Sequence, residues 1–390
     1  MTRDYDAVIA GGGMIGAAHA RALEGMRVAL VAREPAPAAS AGFDARVYAL
    51  SPANAAFLDR LGAWRAIPDA LRAPVHRMRV CGDDGESVIE FDAYRSGVGE
   101  LAWIVEDRRV QEALWRALAG QAGLDVFAPA AASGVTRDDR GAVARLEDGR
   151  ELRAQLVVGA DGAQSLVRER AGIASTALAY GQTAVVANFA CEQPHRNVAY
   201  QWFQGPASGG AVLALLPLPG DHVSMVWSTA AAHAERLLAL DAQALAREVT
   251  SAAAHALGEL ALVTPPRGFP LQRLAAGRMV APRIALAGDA AHVIHPLAGQ
   301  GANLGLQDAQ ALAGVLRTRV PGQDAGELAL LRRYERSRAE AVLAMRAAVH
   351  GLHRLFDAPG PLAARWRNAG LKLADRMPVL KNLLMRHAMG

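Results

Sequence analysis

The sequence predicts an α/β fold in which a parallel sheet, covered by helices on both faces, carries an inserted mixed sheet and ends in a helical segment. Three observations predict it. An apolar run near the N-terminus leads through consecutive glycines into a helical pattern. Two later apolar runs end in a similar way, at a glycine close to an aspartate. Between those two runs the texture changes to short strand-like segments broken by Gly and Pro.

Taken in order, residues 5–10 (YDAVIA) form a short β-branched run, 11–16 a turn, 17–24 a helix and 27–31 (RVALV) a second strand. Apolar runs without alternation suit parallel strands buried on both faces. Residues 152–158 and 283–287 have the same character and are expected as further strands ending on one side of that sheet. A small strand pair is expected at 76–80 and 87–91, around the turn Asp83-Asp84-Gly85. From Tyr180 to Pro270, segments 183–189, 198–203, 211–216 and 222–227 read as strands of a mixed or antiparallel sheet. After Leu331 the pattern is helical and basic. The expected organisation is therefore discontinuous. Residues 1–70, 98–176 and 268–330 form one domain, 71–97 and 177–267 an inserted one, and 331–390 a helical C-terminal segment.

Composition narrows the function classes. At 390 residues the chain exceeds the roughly 250–300 over which a single core grows, which agrees with two lobes. An apolar content of 52% with 21% charged residues excludes an intrinsically disordered chain. Cys81 and Cys191 lie far apart and make no disulfide framework, so a reducing cytoplasm is expected. No Cys/His cluster has zinc spacing. Asp4 and Asp6 precede the first apolar run, unlike a signal peptide. The uncharged stretch 290–307 holds His292, His295, Gln300, Asn303 and three glycines, and would not span a bilayer. The formal charge of +4 is unevenly placed: from Leu331 to Gly390 there are twelve Lys/Arg against four Asp/Glu. A solvated helix face explains such an end. So does contact with an acidic membrane surface or partner, whereas nucleic acid is not expected.

Gly11-Gly12-Gly13-Met14-Ile15-Gly16 fits G-x-G-x-x-G between a strand and a helix. Gly11 permits the tight turn, Gly13 lets the backbone approach a pyrophosphate, and Gly16 lets the helix pack close to the strand. The helix N-terminus, opening at Met14 and Ile15, then offers amide donors and a partial positive charge to the phosphates. This is a Rossmann-type dinucleotide site. An acidic residue should follow the second strand to bind a ribose hydroxyl; residue count points to Glu34, whereas strand alignment points nearer Ala32, with Arg33 between them.

Two further motifs separate the dinucleotides. One is Gly159-Ala160-Asp161-Gly162, followed by Ser165, Val167 and Arg168. The other is Gly288-Asp289-Ala290-Ala291-His292, followed by His295-Pro296-Leu297-Ala298-Gly299-Gln300-Gly301-Ala302-Asn303-Leu304-Gly305. With these stretches the sequence resembles the group A flavoprotein hydroxylases, relatives of p-hydroxybenzoate hydroxylase. The second stretch resembles the ubiquinone-biosynthesis hydroxylases in particular (the UbiH/UbiF/VisC group), and the resemblance runs almost end to end.

That resemblance implies a p-hydroxybenzoate hydroxylase-like FAD-binding domain, an inserted substrate domain and bound FAD. Asp289 at a strand end is expected to accept hydrogen bonds from ribityl hydroxyls. His295, Pro296, Gly299, Gln300, Gly301, Ala302 and Asn303 are expected to form the flavin-facing loop. Gly299 and Gly301 let the backbone pass close to a flat ring, and amides entering the next helix stabilise the negative charge of reduced flavin. Asp161 resembles the acidic residue of the family's second motif, which serves both FAD and the nicotinamide nucleotide. Arg46 and Gln111 match flavin-contacting positions, with Arg108 an alternative to Gln111 and a solvated helix face the competing explanation. His292 and His295 are expected as flavin-loop residues, not as a metal pair.

The implied activity is hydroxylation of an aromatic ring with O2. No general base is expected, because the cofactor carries the hard step and the fold supplies position and dryness. Only one dinucleotide fingerprint is present, so NADPH or NADH is expected to dock transiently, with a separate reductase as the other option. Gln201-Trp202-Phe203 and the segment 209–218 resemble the family's substrate-lobe strands. An apolar sheet with few charges suits a hydrophobic aromatic substrate such as a polyprenylated phenol, although core packing explains any one of these residues as well. Two alternatives stay open: a small soluble aromatic substrate, and a flavin-bound scaffold without turnover. The ending, Arg365-Trp366-Arg367 and Met377-Pro378-Val379-Leu380-Lys381, also resembles the ubiquinone group. It fits a cytoplasmic protein peripheral to the inner membrane, beside partners of a ubiquinone-biosynthesis complex.

Overall fold

The computed structural model describes residues 4–38, 42–84, 86–204, 211–294 and 300–357. The first sheet is built on five parallel strands in the order Ile284–Leu286, Glu151–Gly159, Asp4–Ala10, Val28–Val31 and Leu124–Phe127. Val280–Ala281 adds an antiparallel edge strand. A hairpin of Ala132–Arg137 and Ala142–Leu146 pairs with the start of Glu151–Gly159. Val8, Ile9, Leu30, Val157 and Val158 are fully buried, which is why these strands read as apolar without alternation.

Register places the strand ends in one row. Ala10 pairs with Val31 and with Gly159, Gly159 pairs with Leu286, and Val31 pairs with Phe127. The segments that follow, at 11–13, 32–34, 128–132, 160–161 and 287–289, therefore share one rim. In sheets of this kind ligands bind at that rim, beyond the carboxyl ends of the strands.

The second sheet runs His292–Val293, Arg267–Ala276, Ser175–Cys191, His222–Ala230, Val212–Leu218, Val198–Phe203, Arg77–Cys81, Val88–Asp92, with Leu260–Leu262 beside Ser175–Cys191. It is mixed: only Val198–Phe203 and Arg77–Cys81 pair in parallel. One face is closed by the helices Ala231–Ala239 and Ala242–Ala252. There Val185, Phe189, Leu213, Met225 and Trp227 meet Leu237, Leu245 and Val249. Sequence had assigned residues from 268 onward to the first domain. Arg267–Ala276 instead pairs with Ser175–Cys191, and His292–Val293 pairs with it in turn, so both lie in the second sheet. The segment RGFPLQRLAA is interrupted by Gly268, Pro270, Gln272 and Arg273, so it carries no long apolar run that would mark it as a strand of either lobe.

A three-stranded sheet, Val47–Leu50, Ala102–Glu106 and Ala73–Val75, separates the two. Its first strand is a partition. Tyr48 and Leu50 pack into the core of the first lobe, while Val47 and Ala49 pack against Ala199 and Leu216 of the second sheet. The helix Leu328–Asp357 closes the chain's described part, and residues 358–390, including Arg365-Trp366-Arg367 and Met377–Lys381, lie outside it.

Candidate functional site

The rim encloses a cleft of about 830 Å³, lined among others by Gly11, Gly13, Glu34, Gln111 and Asp161. Its floor is the glycine turn. Gly11 has φ +113°, and a Cβ there would lie 2.2 Å from the Ala160 carbonyl oxygen. A Cβ on Gly16 would lie 1.7 Å from the Gly11 carbonyl oxygen, so the helix can start this close to the turn only with glycine. At Gly13 nothing lies within 4 Å of a built Cβ, leaving the backbone open to an approaching group.

The helix Met14–Ala22 begins at Gly13 without a side-chain cap and with no acidic residue in its first turn. Ser51, Ser165 and Asp241 cap three other helices by accepting from Asn54 N, Arg168 N and Ala244 N, whereas Asp107–Leu118 and Ala231–Ala239 also start without a side-chain cap. An uncapped start leaves amide donors and the positive end of the helix dipole for an anion. The donor set therefore fits a pyrophosphate. Met14 itself is buried in the core, so its share in the site is its backbone. The Ile15 side chain fills the gap between Gly288 and Gly305 and locks the helix to that loop.

Trp115, on the helix Asp107–Leu118, was not anticipated. It lines the cleft, and its indole N–H donates to the Gly12 carbonyl at 3.0 Å. On the same helix, Gln111 lines the cleft while its Nε2 donates to Asp107 Oδ1 at 2.8 Å. Arg108 lines it too. Glu34 lines the cleft from an exposed position, and Ala32 and Arg33 do so beside it. Asp161 reaches the cleft, but its carboxylate also accepts from Ser165 Oγ at 2.5 Å and Val167 N at 3.1 Å, holding the next helix start.

Arg46 is half-exposed. It lies 3.8 Å from Asp107 and over the Tyr48 ring at 5.5 Å. Burial pushes the Tyr48 phenol above its ordinary range. Asp289 is an exposed residue at the rim, yet much protein surrounds its carboxyl. That surrounding raises its carboxyl, against the pull of Arg46 and His292.

Gly288 and Asp289 are held from beneath by a buried network that sequence did not reveal. Asp308 is fully buried; its Oδ2 accepts from Gly288 N at 2.9 Å and bonds His292 Nε2 at 2.7 Å. Its Oδ1 accepts from Arg338 Nε at 2.7 Å. Arg338 comes from the helix Leu328–Asp357, so that helix is tied to the glycine loop. Burial opposes charge on both partners. Even so, the attraction between them holds the Asp308 carboxyl low and the His292 imidazole high.

Asn303 carries a clamp that the sequence did not reveal. Its Oδ1 accepts from Ser51 N at 2.9 Å and Asn54 Nδ2 at 2.8 Å, and its Nδ2 donates to Ala49 O at 2.8 Å. Its side chain thus clamps the strand Val47–Leu50 to the helix Gln300–Arg317. Gln300, Gly301 and Ala302 open that helix, and Gly301 has open space where a Cβ would stand. His295, Pro296 and Gly299 lie outside the described residues.

Residues 4–348 match the FAD-binding-domain family. Ubiquinone hydroxylase UbiL of Rhodospirillum rubrum is 38% identical, over 99% of this chain and 89% of its own. The 3-demethoxyubiquinol 3-hydroxylase of Escherichia coli is 35% identical, over 98% of this chain and 97% of its own. Among solved structures, PqsL of P. aeruginosa in complex with 2-aminobenzoylacetate superposes with a TM-score of 0.77 at 26% identity, over 95% of this chain and 100% of that one. The p-nitrophenol 4-monooxygenase PnpA of Pseudomonas putida gives 0.79 at 19% identity, over 100% and 99% of the two chains, a likeness of fold. The chain belongs to the FAD-binding-domain family and, within it, to the ubiquinone-biosynthesis hydroxylases.

Proposed function

We propose that the chain is an FAD-dependent hydroxylase of a polyprenylated phenol in ubiquinone biosynthesis, using O2 and NAD(P)H. The observation that carries this is the conjunction of near full-length kinship with ubiquinone hydroxylases and a rim whose uncapped helix start fits a pyrophosphate. Bound FAD supplies the oxygen-transfer chemistry. The chain supplies the rest. Backbone amides at Gly13 and the helix start hold the phosphates. Glu34 meets the adenosine ribose, and Asp289 the ribityl chain. Gln111 or Arg108, with Arg46 and Asp161, flank the cofactor. The loop 295–303 faces the ring, and the second sheet excludes water from it.

In this proposal the domains are those expected from sequence, apart from the strands 267–276 and 292–293. The basic C-terminal segment meets the acidic surface of the inner membrane or a partner enzyme; no described helix is long and apolar enough to cross a membrane. The kinship with PqsL, whose structure holds 2-aminobenzoylacetate, favours a second reading, a small soluble aromatic substrate.

Incubation with NADPH, isotopically labelled O2 and a prenylated phenol tests the first. One labelled oxygen in the ring is expected. Turnover of phenols lacking the prenyl chain, with none of the prenylated compound, would favour the second.

A further inference from the structure

The two faces of the second sheet are closed differently. The face opposite the helices carries two separate apolar clusters. At one end Ala199, Leu216 and Leu218 pack under the three-stranded sheet, against Ala73, Val75 and Ile104. At the other, Val80, Ile89, Phe203 and Val212 pack together. Between them runs a cross-strand row: Val80, Gln201, Ala214, Val226 and Val186 are successive partners. Ala214 and Val226 are part-exposed, as is neighbouring Leu216, so this stretch of the face is not sealed.

Gln201 is the one amide in that row. It is only 7% exposed, and its side chain has no hydrogen-bond partner among the described residues. Yet its amide atoms are not sealed off, unlike Ser224 Oγ and Asn188 Oδ1 on the same face, which are closed in without partners. A buried amide without a partner costs stability, about 1–3 kcal/mol by mutational measures, unless something else bonds it. The gap also borders the partition strand Val47–Leu50, which Asn303 fastens to the helix entering from the flavin-facing loop.

We infer that Gln201 is a specificity-determining residue: its amide bonds the oxygen substituent of the aromatic ring while Ala214, Leu216, Val226 and Val186 take the ring's apolar surface. This rests on the hydroxylase proposal. An amide both donates and accepts, so it matches a phenol hydroxyl or a methoxy oxygen without a charge that the apolar site would have to desolvate. A site that hydrogen-bonds a substrate oxygen rejects the analogue lacking it, because its own buried group is then left unpaired.

Equilibrium dialysis of oxidised, FAD-loaded protein tests this without turnover. The probes are a short-chain prenylated 2-methoxyphenol and the matching prenylbenzene. Gln201→Met keeps the length and removes the amide. It should weaken phenol binding about ten-fold, one hydrogen bond in a dry site, and leave prenylbenzene within two-fold. FAD content and Tm should match the parent protein; if Gln201→Met loses FAD, Gln201→Asn, with its amide withdrawn by one methylene, supplies the same comparison. Equal losses for both probes, or no loss, would overturn the assignment while leaving the hydroxylase proposal standing. A parent protein that binds neither probe would overturn both.

Discussion

At the glycine floor of the first sheet's rim the groups offered to a ligand belong to the backbone, although side chains such as Glu34, Gln111 and Asp161 line the cleft around it; on the inner face of the second sheet they belong to side chains. The rim presents amides at Gly13 and at an uncapped helix start, framed by glycines whose Cβ atoms would collide with neighbouring carbonyls. The inner face presents Val186, Ala214 and Val226 around one amide, Gln201. The difference follows from the occupants. A pyrophosphate is the same in every relative and is met by dipoles that any sequence provides, so only spacing and glycine matter. A substituted ring differs between enzymes and must be met by particular side chains.

The largest expected effect lies at the rim. Gly16→Val places branched carbon against the Gly11 carbonyl and should abolish FAD retention, read as flavin absorbance per mole of purified protein. A variant that kept stoichiometric flavin would show that the helix start is not the phosphate site.

Next is the support beneath the rim. Asp308→Ala strands Arg338 and His292 in the interior and should cost about 3–5 kcal/mol, read as denaturant midpoint of the holoprotein. A loss below 1 kcal/mol would mean that the network is solvated in solution.

The same network predicts a pH dependence. The folded state raises the His292 pKa, so its contribution is fully present below about pH 6.5 and is lost as pH rises through the higher folded value. The Tm gap between the parent and His292→Asn should therefore shrink from pH 6 to pH 9. A gap that widened would reverse the assigned charge.

The smallest effect sharpens the backbone argument. Trp115→Phe keeps an aromatic ring, smaller than the indole, and removes the bond to the Gly12 carbonyl. FAD affinity, titrated on apoprotein, should fall about five-fold, as for one hydrogen bond near 1 kcal/mol. An unchanged affinity would make Trp115 a wall of the cleft and no more.

What the sequence disclosed follows the same division. Gly11 and Gly16 are legible because backbone geometry leaves no other residue at those places, and Gly13, which has open space around it, is legible only from its spacing between them. The parallel strands are legible because burial on both faces removes alternation. Glu34, reached by counting, and Ala32, reached by strand alignment, both line the cleft. Asn303 was noticed, but its clamp on Ser51 and Asn54 was not, since it joins residues about 250 apart in the chain. Asp308, Arg338 and Trp115 were missed for the same reason: each acts across a long separation, and an ordinary helical Asp, Arg or Trp carries no local mark of it. The strand 267–276 was misplaced because its pairing with Ser175–Cys191, not its own composition, makes it a strand.

The central claim is that the rim holds FAD and that the second sheet presents a phenol to it. The most direct test is the absorption spectrum of purified protein, followed by anaerobic NADPH addition with and without a prenylated phenol. The account predicts flavin peaks that bleach faster when the phenol is present. Protein without flavin, or flavin whose bleaching ignores the phenol, would contradict it.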